Sequence, residues 1–343
     1  MFFKKKSFLV LMLVLLASVA LIVAGCGEEA DVDDPEDDGE WPETLSLGTA
    51  GSGGVYYYYG SGWASVIEDN VDVGVNTEQT GGPGDNMFLV NARDNDLGMI
   101  TMGIGYEGYY GEDGTAYEGQ PQENVRALFP MYSTYSQWWA HADDEIESLS
   151  DLDGKSVGVG PTGGTPGTYH PLMLDAVGVD ADPVHAALSD LVDNHMDGQI
   201  DANSFSSGIP VGGYLEYEAN VGPEEVDLIP VEGEERDAIM EDMPFWSEAV
   251  IPEDTYDSID EDIETVVVFN WAIGHKDLPD DLVYEIVDAV MSNHEDMVDA
   301  HDAAEETVPE NIDTNDFLPL HPGAAEWFEE NDYDIHDDAQ PID

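Results

Sequence analysis

Seventy-six aspartates and glutamates against eight lysines and arginines give this chain a formal net charge of −68 at neutral pH. Nothing else in it limits the possible folds so severely. A compact body with such a charge repels itself at low ionic strength. Salt removes the difficulty, because the Debye length falls to about 3 Å at 1 M. The sequence therefore predicts a halophilic protein that loosens on desalting. Intrinsic disorder is the other outcome of high net charge, but 42% hydrophobic residues with 7 Trp and 16 Tyr supply enough apolar surface for a packed core. The charge also excludes a class of partner. Nucleic acid binding needs cations that neutralise phosphates, so no nucleic acid is expected, and an anionic membrane surface would repel the chain as well.

Three of the eight basic residues are Lys4, Lys5 and Lys6, and they precede an uncharged run over 8–24 that ends in Val23-Ala24-Gly25-Cys26. A basic start, a short apolar core and small residues before a cut are the parts of an export signal. The run is shorter than the roughly 20 residues of a comfortable membrane span. Cys26, the only cysteine, closes a stretch that resembles the bacterial lipobox. That resemblance implies a signal peptide over 1–25, cleavage before Cys26, diacylglycerol on its sulfur and acylation of the new amino end. Two or more acyl chains hold a protein stably where one does so marginally. The expected location is extracytoplasmic, with the chain lipid-anchored to the cell membrane; an uncleaved anchor is the alternative. With one cysteine no intramolecular disulfide can form, so the core alone must hold the fold. Residues 28–43 carry ten acids in sixteen positions, interrupted by Pro35, Gly39 and Pro42, and 26–42 reads as a disordered, extended tether.

From Leu45 onward short apolar runs alternate with helical stretches. Strands are expected at 45–48, 71–77, 97–101, 125–132, 156–160, 200–205, 226–231 and 265–274, and helices at 56–67, 85–92, 166–177, 189–196 and 282–291. This β-α alternation argues for an α/β architecture with parallel sheets. A mature chain of about 300 residues exceeds one ordinary core, which predicts two lobes.

Three glycine-rich turns each follow an expected strand and open an expected helix: Gly48-Thr49-Ala50-Gly51-Ser52-Gly53-Gly54-Val55-Tyr56, Thr80-Gly81-Gly82-Pro83-Gly84-Asp85-Asn86, and Gly158-Val159-Gly160-Pro161-Thr162-Gly163-Gly164-Thr165-Pro166. Glycine lets backbone approach a ligand, and the first amides of a helix point free N–H groups at it, which favours an anion. One such turn is an ordinary strand-to-helix connection. Three could converge at the carboxyl ends of strands, where open α/β sheets gather ligands. Beyond the signal the basic residues are Arg93, Arg126, Lys155, Arg236 and Lys276, too few for a general arginine clamp. Aromatics supply candidate walls: one or two of Tyr56–Tyr59, and Trp138 and Trp139, with core packing the commoner role for each. The nine histidines form no H-E-x-x-H and no other metal-ligand spacing, and there is no G-x-S-x-G elbow. No enzyme activity, metal or cofactor is expected.

Taken in order, Gly48-Thr49 with Gly53-Gly54-Val55-Tyr56-Tyr57, Thr80-Gly81-Gly82 with Asn86, Asp96-Leu97-Gly98, Asp151-Leu152-Asp153-Gly154-Lys155 with Val157-Gly158-Val159-Gly160, Asp197-Gly198-Gln199-Ile200-Asp201-Ala202, Leu278-Pro279-Asp280-Asp281-Leu282-Val283-Tyr284 and His321-Pro322-Gly323-Ala324 resemble the TAXI-type solute receptors of tripartite ATP-independent periplasmic (TRAP) transporters. The resemblance implies a periplasmic-binding-protein fold of type II, two lobes joined by a two-strand hinge with the ligand cleft between them. It implies lobe 1 over 43–148 and 264–343 and lobe 2 over 149–263. It implies a receptor that closes on a small polar or carboxylate solute, glutamate-like or dicarboxylate, and delivers it to TRAP membrane subunits. Carried over by motif, Gly53, Gly54, Val55 and Tyr56 would bind through amides and the Tyr hydroxyl, with Gly82 and Asn86 from the second turn and Gly163, Gly164 and Thr165 from the facing lobe. The chain departs from the family in having Pro83 and Gly164 where serines are usual, which removes side-chain donors. The same fold serving an ATP-driven importer, or a ligand sensor for a membrane kinase, are the alternatives.

Overall fold

The computed structural model describes residues 41–342. The expected signal peptide, Cys26 and all of the tether up to residue 40 lie outside the described residues. Within these, the chain runs β1 (Thr44–Gly48), α1 (Val55–Asn70), β2 (Gly74–Glu78), α2 (Pro83–Asn91), β3 (Leu97–Thr101), α3 (Met102–Tyr110) and the long β4 (Val125–His141). It continues through β5 (Ser156–Gly158), α4 (Thr165–Ala176), β6 (Asp182–Val184), α5 (Leu188–Met196), β7 (Ala202–Ser207), α6 (Gly212–Val221), β8 (Val226–Ile229), α7 (Gly233–Asp242) and β9 (Ser247–Ile251). The second long strand, β10 (Ile263–His275), leads to α8 (Asp280–Ser292), α9 (His294–Ala300) and α10 (Pro322–Glu330).

The strands form one mixed sheet in the order β2-β1-β3-β10-β4-β7-β5-β6, with β8 paired to β4 and β9 to β10. Parallel pairing is confined to two groups, β2-β1-β3 and β7-β5-β6. The expected parallel sheets are these two groups, and β4 and β10 between them are antiparallel to each strand they pair with. A chain that leaves one parallel group for another and then returns has to cross in both directions. The crossing strands are long because each serves different neighbours along its length: β10 pairs with β9 over 263–267 and with β3 over 270–274, and β4 pairs with β10 over 125–135 and with β7 over 135–140.

Burial explains why these segments form. All five residues of β3 are buried, as are all of β4 except Ser133, Tyr135 and His141, the signature of strands covered on both faces. In α8 the buried Leu282, Val283, Ile286, Val287 and Val290 repeat at helical spacing and form a single apolar stripe. The strand period sends Trp138 and Trp139 to opposite faces. Trp138 enters the larger core and stacks on His170 at 4.3 Å, while Trp139 packs edge-on against Tyr214 at 5.4 Å in a smaller core with Val192, Tyr217 and Leu228. Both are fully buried, and neither is among the residues that line the cleft. Strand β2 begins three residues later than expected because the Val71 amide is spent on the Ile67 carbonyl, closing α1. His321 accepts the Gly323 amide at 3.3 Å through Nδ1 and so caps α10, which has Pro322 in its first turn. Burial brings this imidazole down to about 4 and keeps it a neutral acceptor.

Candidate functional site

Four helices begin at one cavity of about 270 Å³. Its walls are the turn 50–56 leading into α1, the turn 79–83 leading into α2, Pro161 with 164–166 at the start of α4, and 187–189 at the start of α5. The end of β7, Tyr132 and Thr134 of β4, and Asn270 of β10 complete it. None of the four helices has a side-chain cap, and each start carries roughly half a positive charge. α2 and α5 bring their own acid, Asp85 and Asp190, into the first turn; α1 and α4 bring none. Asp85 is already engaged, accepting the Gly81 amide at 2.9 Å. Among the described residues that line the cavity, none is charged.

The turns touch across the cavity. The Gly84 amide donates to the Gly163 carbonyl at 2.9 Å, and the Val55 amide to Ser207 Oγ at 3.1 Å. Thr101 and Thr165 hydroxyls pair at 3.2 Å. Gly82 has φ of 122°, and a Cβ there would lie 3.1 Å from the Gly164 Cα. Glycine at 82 is therefore what permits the approach, whereas a Cβ at 164 would crowd its own turn, 3.2 Å from the Pro161 carbonyl oxygen.

Where the long strands meet, their register slips between Phe269 and Trp271. Such an irregularity re-aims a side chain, here that of Asn270. Its Nδ2 donates to the Tyr132 carbonyl at 2.6 Å and to Thr134 Oγ1 at 2.7 Å, and its Oδ1 accepts the Tyr56 hydroxyl at 2.7 Å. Burial holds the Tyr56 phenol well above its ordinary value, so it stays a neutral donor. The proton of this hydroxyl, expected to serve a ligand, goes to Asn270 in the structure. Tyr132 is in the opposite state, lining the cavity with a buried hydroxyl that has no hydrogen-bond partner.

Behind the β7 wall lies a relay. Ser204 Oγ donates to the Gly158 carbonyl at 2.9 Å and therefore accepts from His170 Nδ1 at 2.6 Å. Burial brings His170 down to about 3, so the ring is neutral and its Nε2 accepts the Ser206 hydroxyl at 2.7 Å. Ser206 thereby faces the cavity with its lone pairs.

Of the nine residues expected to bind ligand, the structure places Gly53, Gly54, Val55, Tyr56, Gly82, Gly164 and Thr165 in the lining. Asn86 lies behind it, fully buried, with Nδ2 donating to the Thr49 and Met99 carbonyls at 3.0 and 2.9 Å and Oδ1 beside Thr80 Oγ1. It ties the first two turns together. Gly163 lines a neighbouring cavity of about 460 Å³ with Asp85, Phe88, Glu107, Tyr117 and Leu172. Burial pushes the Glu107 carboxyl up to about 7, and the Tyr169 hydroxyl beside it makes no hydrogen bond of ordinary geometry. Sequence reasoning missed the fourth helix start at Leu188, the serines of β7 and Asn270. A polar residue inside the apolar run Val266-Val267-Val268-Phe269-Asn270-Trp271 was the available signal. Away from the cavity, His141, Asp143 and Glu225 have ligand atoms within 4.8 Å of one another, a grouping that spacing in the sequence did not reveal. His141 Nδ1 there accepts the Asp143 amide at 3.3 Å. Among the described residues no helix is long and apolar enough to cross a membrane.

The profile of the NMT1-like family matches residues 47–331. Among solved structures, PhnD1 from Prochlorococcus marinus in complex with methylphosphonate aligns over 77% of this chain and 91% of its own, with 13% identity and a TM-score of 0.52. An ancestral arginine-binding protein bound to arginine aligns over 77% of this chain and 98% of its own, with 13% identity and a TM-score of 0.49. The mixed sheet flanked by helices, crossed by two long strands, is the type II periplasmic-binding-protein fold.

Proposed function

The chain belongs to the NMT1-like family, and from that premise we propose that it is an extracytoplasmic solute-binding protein that captures a small polar or carboxylate solute by closure of two lobes. The carrying observation is the convergence of four helix starts on one uncharged cavity at the meeting of β4 and β10. The lobes are 43–148 with 264–343, and 149–263, and the hinge lies in the two long strands. Contacts such as Gly84 to Gly163 and Val55 to Ser207 are then the closed state, which a ligand favours by touching both sides.

The ordered motifs of the TAXI type support the finer reading, a TRAP receptor lipid-anchored at Cys26 that docks on TRAP membrane subunits and needs no ATP. Two measurements test the proposal. Calorimetry at about 1 M NaCl across carboxylates, oxo acids and amino acids should find a ligand that also raises the melting temperature; no binder would sink the receptor reading. Uptake into vesicles holding the membrane partner should follow an ion gradient. A requirement for ATP would replace the TRAP assignment with an ATP-driven importer.

A further inference from the structure

Among the polar groups of the cavity, nearly every buried side-chain oxygen is already engaged within the protein. Ser207 Oγ accepts from Val55, Asn270 Oδ1 from Tyr56 and Thr134 Oγ1 from Asn270, while Thr165 pairs with Thr101 and Thr80 with the Thr49 carbonyl. Ser206, oriented by His170, leaves lone pairs inward. The uncommitted donors are the Tyr132 hydroxyl and the remaining first-turn amides of α1 and α4, which have no partner within their own helices; the Val55 amide is spent on Ser207 and Pro166 has no N–H. The balance is rich in donors and poor in acceptors, and it sits at two helix starts that carry no acid.

We propose that the solute held here is an organic anion with an apolar body and no ammonium group, a deepening that rests on the receptor reading above. An ammonium carries three N–H donors. Here it would find no carboxylate among the lining residues, only neutral oxygens such as those of Ser206 and Tyr132 inside and of the exposed Ser52, Gln79 and Ser189, and the positive ends of α1 and α4 facing it. Burying a charge without a partner is expensive, so a zwitterion gains at its carboxylate and loses at its nitrogen. An oxyanion alone does not fill the space either. At roughly 30 Å³ per water, a cavity of about 270 Å³ holds several waters. Its apolar walls are Val55, Pro161, Pro166, Leu188 and Phe205, which favour carbon.

The test pairs acids of one carbon skeleton that differ at the α position: 4-methyl-2-oxopentanoate with leucine, phenylpyruvate with phenylalanine, 2-oxoglutarate with glutamate, and inorganic phosphate as the bodiless anion, all by calorimetry on the full chain in high salt. The expected result is at least one oxo acid bound about tenfold or more tightly than its amino acid. Tyr132→Phe should then weaken that oxo acid several-fold while leaving the unliganded melting temperature unchanged, because its hydroxyl has no partner to lose. An amino acid bound as tightly as its oxo acid overturns the ligand class and leaves the receptor reading standing. Phosphate bound as tightly as any organic acid overturns the apolar body. No binding by any member at millimolar concentration, in the wild type or in Tyr132→Phe, counts against the receptor reading itself.

Discussion

Two cavities share a pair of turns and differ in charge. Residues 79–83 and 164–166 face the smaller one, and no described residue lining it is charged; Gly84, Asp85, Thr162 and Gly163, from the same turns, face the larger, which also holds Glu107. In a chain with 76 acids, a wall without one is a constraint on composition that random placement would rarely meet. The difference teaches that a ligand site in so acidic a protein is marked less by the groups it holds than by those it lacks.

The comparison can be broken by making the first cavity resemble the second. Ser207→Asp would place a carboxylate where the Val55 amide now donates. An anionic solute should then lose on the order of 100-fold in affinity, since an unpaired like charge in a partly enclosed site costs a few kcal/mol. Unchanged affinity in titrations would mean that the solute sits elsewhere. A middle-sized effect concerns the hinge. Tyr56→Phe leaves Asn270 Oδ1 buried without its donor, and the unliganded protein should lose about 1–2 kcal/mol. A melting temperature equal to that of the wild type would return this hydroxyl to the ligand.

The smallest effect sharpens the second cavity. Burial raises the Glu107 carboxyl from 4.5 to about 7. The folded state thus holds the proton more tightly than the unfolded one, so the contribution of Glu107 to stability falls as pH rises from 4.5 through about 7. Glu107→Gln should remove that slope and leave the variant more stable above pH 7 by on the order of 1 kcal/mol, discounted for partial exposure. The difference between the two melting curves against pH isolates this group from the other acids. A constant difference across the window would mean that the carboxylate is solvated.

Much of the frame was legible because its signals are local. A strand, a glycine turn and a helix are adjacent in sequence, so seven of the nine expected residues could be placed where the lining is. What was not legible depends on distant partners. The Tyr56 hydroxyl was given a ligand role by the family motif; Asn270 claims its proton from 214 positions away. Helix α3 went unseen because Gly103, Gly105 and Gly108 depress its propensity, yet those glycines let Phe245, Ile100 and Met87 pack close. Strands β4 and β10 were expected shorter than they are, since only the successive distant neighbours along each strand require its full length. Asn86 was expected to bind ligand from the second turn, whereas its amide is spent on the carbonyls of Thr49 and Met99.

The uncharged lining has a kinetic consequence. An anion drifting toward this body is turned back by the surrounding acids until it reaches the mouth, so in dilute buffer arrival, not retention, limits capture. At about 1 M salt the repulsion extends only about 3 Å, and association should quicken with ionic strength, the reverse of ordinary electrostatic steering. Release, governed by neutral walls, has little reason to change, so brine would speed the traffic inward without loosening the grip.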